Sequence, residues 1–245
     1  MLLQVEHVSK SFDQKTIIKD INLHVAQGEI VSLLGISGSG KTTLFNIIAG
    51  LSQPDSGSVL LQDRSILNQP GQVSYMLQKD LLMPYRTVAN NVILPLLITG
   101  IKKKHALIKA APLFAEFGLS GYEDKYPADL SGGMRQRAAL LRTYLFDKPL
   151  ALLDEPFSAL DAITKRALHT WYLDIMAKIH LSTLLITHDI DEALVLSNRI
   201  YVLANTPSVI SDEIAIPKAL HDASEFELSN EFLQLKRRII ADLHI

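Results

Sequence analysis

Residues 35–42 read Gly35-Ile-Ser-Gly-Ser-Gly-Lys-Thr42, between the apolar runs Glu29-Ile-Val-Ser-Leu-Leu34 and Leu44-Phe-Asn-Ile-Ile-Ala49. A strand that passes through three glycines into a helix is a narrowly specified piece of backbone. Gly35, Gly38 and Gly40 carry no Cβ, so the chain can reverse tightly there and aim successive N–H groups into one concave loop. The helix that follows adds the positive end of its dipole. Such a loop suits an anion with several oxygens, and the residues that close it say which. Lys41 can reach the β- and γ-phosphates of a nucleotide, and the Thr42 hydroxyl can ligate Mg²⁺.

With 245 residues the chain has room for one large domain, or a domain with a lobe, and can bury a substantial core. A net charge of −2 with 20% charged residues leaves no footprint for nucleic acid. The absence of cysteine excludes disulfides, thiolate metal sites and cysteine nucleophiles. The start, Met1-Leu-Leu-Gln-Val-Glu-His7, lacks the basic residues and apolar core of a signal peptide. The most apolar stretch, Val92-Ile-Leu-Pro-Leu-Leu-Ile98, contains Pro95 and is far too short to cross a bilayer. The expectation is a soluble chain, whose mean hydropathy of +0.18 points to a large apolar interface.

Strand character comes first, over residues 2–8, 17–25 and 29–34, then 58–62 and 72–77 after the turn cluster Ser52-Gln-Pro-Asp-Ser-Gly57. Residues 87–148 lack it and carry helical periodicity, ending in a strong helix over 131–146. Beyond them strand and helix alternate: 151–154, 162–178, 182–187, 191–197 and 199–203. That alternation predicts a mostly parallel sheet flanked by helices, interrupted by a helical lobe. A closing strand over 209–216 and a terminal helix over 226–243 follow.

Several downstream residues narrow the chemistry. Leu150-Ala-Leu-Leu-Asp154-Glu155 is an apolar strand delivering two carboxylates at its carboxyl end, where ligands of parallel sheets sit. Asp154 is placed to hold Mg²⁺ through its water shell, and Glu155 to polarise a water for attack on the γ-phosphate. Leu184-Leu-Ile-Thr-His188 repeats the arrangement, and His188 could contact the γ-phosphate. Gln78, after the strand Val73-Ser-Tyr-Met-Leu77, could sense the metal or the water. Phe12 either stacks on an adenine ring or packs as a core aromatic. In Leu130-Ser-Gly-Gly-Met-Arg-Gln136, Ser131 would cap the next helix, and Gly132 and Gly133 allow close backbone approach. This is a second anion site at a helix amino terminus. Two such devices on one chain are most economically used by a two-fold dimer, each ATP held between the first device of one copy and the second of its mate.

In this order and at this spacing the motifs resemble those of the nucleotide-binding subunit of an ATP-binding cassette (ABC) transporter, over essentially the whole chain. The resemblance implies an α/β fold: a P-loop NTPase core, a mostly parallel sheet with an antiparallel β subdomain, interrupted by an α-helical lobe. Residues 1–85 and 149–205 would form the core, 86–148 the lobe, and 206–245 the closing strand and helix. Phe12 stands in the aromatic loop. Ser37, Ser39 and Thr43 join Gly35, Gly38, Gly40, Lys41 and Thr42 in Walker A. Gln78 marks the Q-loop, as a metal and catalytic residue, and residues 130–136 the signature. Asp154 and Glu155 end Walker B, Ser158-Ala-Leu-Asp161 is the D-loop, and His188 is the switch histidine. Ser131 and Gly133 would bind the γ-phosphate in trans, and Asp161 would communicate across the dimer.

Two residues depart from the commonest pattern: Phe12 where Tyr is usual and Met134 where Gln is. Met134, the segment Gln78 to Val92 and the tail Glu231-Phe-Leu-Gln-Leu-Lys-Arg-Arg-Ile239 resemble importers of the nitrate, sulfonate and taurine type, although Tyr85 replaces a frequent Trp. The implied cofactors are ATP and Mg²⁺. The implied partners are a second copy, an integral membrane permease and, indirectly, a solute-binding protein, with no nucleic acid. The implied location is the cytoplasmic face of the membrane. The leucine-rich segment 81–97 would help form the groove for a permease helix, and Lys102, Lys103 and Lys104 a solvated face. Repair and translation ATPases of the family fit poorly, since there is neither room for a long coiled coil nor a second cassette. An exporter or lipid-trafficking ATPase remains the alternative, and the sequence does not encode the solute.

Overall fold

The register of the first strands is set by two tight turns. In the computed structural model, which describes residues 1–158, 160–217 and 226–243, β1 (Leu3–Phe12) runs into β2 (Lys15–Val25) through Asp13 and Gln14. Both turn residues have positive φ, 47° and 63°, the geometry whose twist matches an antiparallel hairpin. Gln62 and Asp63 repeat it, at 50° and 60°, between β4 (Ser56–Leu61) and β5 (Arg64–Ser65). These four strands form an antiparallel sheet in the order β2-β1-β4-β5. Leu3, Val5, Val8, Ile18, Ile21, Leu23, Val59 and Leu61 are buried.

The chain divides into two compact units, Met1–Val73 with Leu181–Ile245, and Ser74–His180. In the first, β3 (Ile30–Gly35) is buried at every position, as expected of a central strand covered on both faces. It pairs in parallel with β8 (Ser182–Thr187) on one side and β9 (Arg199–Ala204) on the other. β10 (Val209–Ala215) adds antiparallel to β9. Helices α1 (Lys41–Ile48), α7 (Ile190–Leu196) and α8 (Asn230–Asp242) belong to this unit. Leu194 of α7 and Phe232 and Ile239 of α8 share one core cluster with Val202 and Ile214. Arg238 grips the Asp212 carboxylate with two bonds of 2.6 and 2.7 Å, fastening the terminal helix to β10.

In the second unit, β6 (Ser74–Met76) lies parallel to β7 (Leu150–Asp154), with Tyr75 opposite Leu152. Helices α2 (Val88–Val92), α3 (Leu94–Ile98), α4 (Lys103–Glu116), α5 (Gly132–Tyr144) and α6 (Ala162–Ile179) make up the rest. Asn91 is fully buried and bonds to the Met83, Arg86 and Thr87 carbonyls and the Met83 N–H, which fixes the entry to α2. Of the leucine-rich segment, Leu82, Val92, Ile93 and Leu96 are core, whereas Leu81 and Tyr85 stay on the surface. Lys102, Lys103 and Lys104 are exposed, as expected. Among the described residues no helix is long and apolar enough to cross a membrane.

The fold is the expected α/β one, with a parallel-rich sheet, an antiparallel β subdomain and helices. Details differ. β1 continues to Phe12, four residues past its expected end at 8, and the strand expected over 72–77 shortens to Ser74–Met76. A short turn, Phe226–Leu228, precedes the terminal helix, which begins at Asn230. Ala159 of the expected Ser158–Asp161 segment lies outside the described residues, as do 218–225 and 244–245 of the expected closing segment.

Candidate nucleotide site

The phosphate loop of the first unit is built as the glycines require. Gly35 ends β3 against β9, where a Cβ would lie 2.7 Å from the Leu203 carbonyl oxygen and 2.9 Å from Ser39 Oγ. Gly40 has φ +87°, and its Cβ would meet Ile18 Cγ2 at 2.7 Å, so β2 leaves no space for a side chain there. Gly38 is left-handed too, at +82°, but in the open. Lys41 is buried and its Nζ donates to the Gly35 and Ile36 carbonyls, both at 2.8 Å, so the ammonium spans the loop. Ser39 is buried and its hydroxyl has no hydrogen-bond partner among the described residues, which suits it to a phosphate oxygen. Ser37, Gly38 and Thr42 are exposed and Thr43 is half-buried.

Two other expected residues lie in this unit. His188 is exposed directly after β8. Its neighbour Asp189 accepts from the Asp191 and Glu192 N–H groups and caps α7, which sets the turn carrying the imidazole. Phe12, at the end of β1, is 49% exposed, so it is not a core aromatic. Lys10 Nζ stands 5.3 Å from the centre of its ring and also donates to Asp55 at 3.0 Å. That bond and one from the Ser11 N–H hold the Asp55 carboxyl below its ordinary pKa.

The second unit brings the acidic pair and Gln78 together. Asp154 closes the buried strand β7 and is itself only 7% exposed. Glu155 adopts φ +45°, an uncommon conformation for a residue with a side chain. Ser158 braces it, its Oγ donating to the Glu155 carbonyl at 3.0 Å. Strain of this sort is kept where it aims a functional group. Gln78 Nε2 donates to Glu155 Oε2 at 3.0 Å. Sequence reasoning missed Tyr75, whose hydroxyl pKa is driven up by burial and by the Asp154 carboxylate. Only the parallel register of β6 on β7 brings the two into range, and nothing in Val73-Ser-Tyr-Met-Leu77 announces that register.

The expected helix start at Ser131 is present and capped. Ser131 is the N-cap of α5, its Oγ accepting from the Met134 N–H at 3.3 Å. Asp161 caps α6 likewise, accepting from the Thr164 N–H at 3.0 Å, which lowers its carboxyl pKa. The two helix starts pack together: a Cβ on Gly132 would lie 3.0 Å from Leu160, and one on Gly133 3.4 Å from Thr164.

The donor chemistry fits magnesium. Each unit carries hard oxygen donors of the kind Mg²⁺ prefers, the Thr42 hydroxyl in the first, the Asp154 carboxylate and Gln78 amide oxygen in the second. Among the described residues no group of three or more His, Cys, Asp or Glu is placed to hold a metal ion by itself.

Comparison with known proteins shows the family. The family model described as ABC transporter matches residues 18–158. The formylaminopyrimidine import ATP-binding protein ThiZ of Halalkalibacterium halodurans is 44% identical over 225 residues, covering 91% of this chain and 88% of that protein. The aliphatic sulfonates import ATP-binding protein SsuB 2 of Burkholderia cenocepacia is 40% identical over 218 residues, covering 89% and 79%. Among solved structures, the dimeric ATP-binding cassette MJ0796, in a post-hydrolysis state bound to ADP and Pi, matches with a TM-score of 0.74 at 26% identity, over 88% of this chain and 99% of that one. In sequence and in fold alike, the chain belongs to the ABC transporter family, as an ATP-binding and ATP-hydrolysing subunit.

Proposed function

We propose that two copies of this chain form the motor of an importer, closing on two ATP molecules and reopening on hydrolysis, with the motion passed to a membrane permease. In this reading residues 1–85 and 149–205 act as the catalytic core, 86–148 as the lobe that meets the permease, and 206–245 as the closing segment. The permease holds the chain at the cytoplasmic face of the membrane. Phe12 stacks on the adenine. Gly35, Ser37, Gly38, Ser39, Gly40, Lys41, Thr42 and Thr43 bind the phosphates. Ser131, Gly132 and Gly133 of the mate close over the γ-phosphate, Asp161 relays between copies, and His188 senses that phosphate. Thr42, Asp154 and Gln78 would hold Mg²⁺, which supplies charge neutralisation on the β- and γ-phosphates. The remaining catalysis is positioning: Lys41 offsets charge on the transferred group and Glu155 orients the attacking water.

The observation that carries this reading is the bond from Gln78 Nε2 to Glu155 Oε2 at 3.0 Å, beside the buried Asp154. It presents a carboxylate oriented by an amide at the end of a strand, where a water can be aimed. Likeness to ThiZ and SsuB 2 supports a solute of the thiamine-precursor pyrimidine or sulfonate kind, while the sequence resemblance also allows nitrate and taurine. A solute-binding protein would deliver it. Glu155→Gln keeps the shape of the side chain and removes its charge. Turnover should fall on the order of 10²–10³-fold, the loss seen when one such group is removed, while ATP remains bound and light scattering reports a dimer. Hydrolysis near the unmodified rate would show that Glu155 has no such role.

A further inference from the structure

Between Gln78 and α2 the chain crosses an irregular segment, and two arginines of α5 hold it. Arg142 spreads its guanidinium over two successive carbonyls, Nη1 donating to Leu81 at 2.9 Å and Nη2 to Asp80 at 2.5 Å. Leu81, an exposed leucine, sits at φ +46°, in the region usually left to glycine. The Asp80 side chain accepts from the Leu82 N–H at 3.0 Å and faces Arg135 Nε at 3.5 Å. Arg135 in turn donates to the Leu130 carbonyl at 2.7 Å, next to the capping Ser131. Arg135 and Arg142 are two helical turns apart, hence on one face of α5. Burial presses the Arg142 pKa downward and the Asp80 charge opposes it.

We propose that Arg142 is a positioning residue for hydrolysis: by gripping the Asp80 and Leu81 carbonyls it sets Gln78 against Glu155, and so ties the start of α5 to the water-orienting carboxylate. A left-handed leucine does not hold itself in place. Two carbonyls gripped by one planar fork are a geometric constraint that a single ammonium does not reproduce. Asn91 closes the far end of the segment through its bonds to Met83, Arg86 and Thr87. Gln78 is thus fastened to a strap anchored at Asp80–Leu81, and the anchor is carried by the helix that begins at Ser131.

The inference rests on the role given above to Gln78 and Glu155, and a double-mutant cycle separates the two. Arg142→Lys, Gln78→Ala and the double variant of the full chain are compared by ATPase kcat, KM for ATP, nucleotide affinity and Tm. Arg142→Lys should lower kcat roughly 10- to 100-fold, the range expected of misplacement near the reacting atoms, with KM and ATP affinity within about twofold of the unmodified chain. On the Gln78→Ala background the same substitution should cost less than about twofold, because the group it positions is gone. Multiplicative losses in the double variant, or a kcat loss that merely follows a fall in Tm, would overturn the positioning role while leaving Gln78 in place. Unmodified turnover in Gln78→Ala would instead overturn the role of Gln78, and with it the path assigned to Arg142.

Discussion

At the scale of single residues, the phosphate loop shows how glycines that look alike in sequence do different work. Gly38 and Gly40 both adopt left-handed backbone, at +82° and +87°, but only Gly40 is crowded, with Ile18 Cγ2 2.7 Å and Ile17 Cγ2 2.9 Å from where a Cβ would stand. Gly38→Ala meets no atom within 4 Å and bears only the conformational cost, about 1–2 kcal/mol. Gly40→Ala adds a clash with the branched side chains of β2, about 1–3 kcal/mol more. The expected order is therefore a modest fall in Tm for Gly38→Ala, and for Gly40→Ala a larger one accompanied by loss of ATP binding. Calorimetry and nucleotide titration on the two variants would check it, and equal effects would contradict the packing argument. The sequence identifies all three loop glycines from their spacing. It does not reveal that Gly40 is crowded while Gly38 is open, because Ile17 and Ile18 reach the loop through the hairpin of β1 and β2. The proximity of Tyr75 to Asp154 was hidden for the same reason, since it arises from pairing between strands remote in sequence.

At the scale of elements, legibility followed burial. The strand Ser182–Thr187 was foreseen residue for residue, because a short run rich in Thr, Leu and Ile that ends at His188-Asp189 suits a strand covered on both faces, and it is buried at every position. β1 was cut short because its alternation breaks: Val5 and Val8, both buried, are separated by a register shift at His7, whose φ is 52°. β5 was missed because Arg64 and Ser65 are both exposed and carry no apolar pattern. Helix starts were the opposite case, since Ser131 and Asp161 announce them chemically. Ser131→Ala separates the stability of α5 from its function. The cap bond is long at 3.3 Å, so its loss should cost about 0.5–1 kcal/mol, a fall in Tm of only a few degrees for a chain of this size. If Ser131 also donates to the γ-phosphate of the mate's nucleotide, ATPase activity should drop by at least about tenfold, far beyond that stability loss. Activity that declines only in step with Tm would reduce Ser131 to a cap.

At the scale of the whole molecule, the proposed dimer sets the loop of Gly35–Lys41 in one copy against the capped start of α5 in its mate, so that each ATP is held between two proposed anion devices. The cassette MJ0796, similar over 88% of this chain, is itself dimeric. The arrangement has a consequence that no monomeric enzyme shares. Lys41→Ala disables the first device and Ser131→Ala the second, so either variant alone pairs into a dimer with both sites broken. In a mixed dimer, the Lys41 of one copy faces the intact Ser131 of the other at one site, and both defects fall together at the second. Random exchange makes half the dimers mixed, each with one good site of two, so about a quarter of the unmodified turnover should return on mixing equal amounts. Coupled-enzyme measurement of phosphate release from each variant and from their mixture decides the matter. A mixture no more active than its components would mean that each chain completes its own site, and the face-to-face pairing proposed for the motor would have to be abandoned.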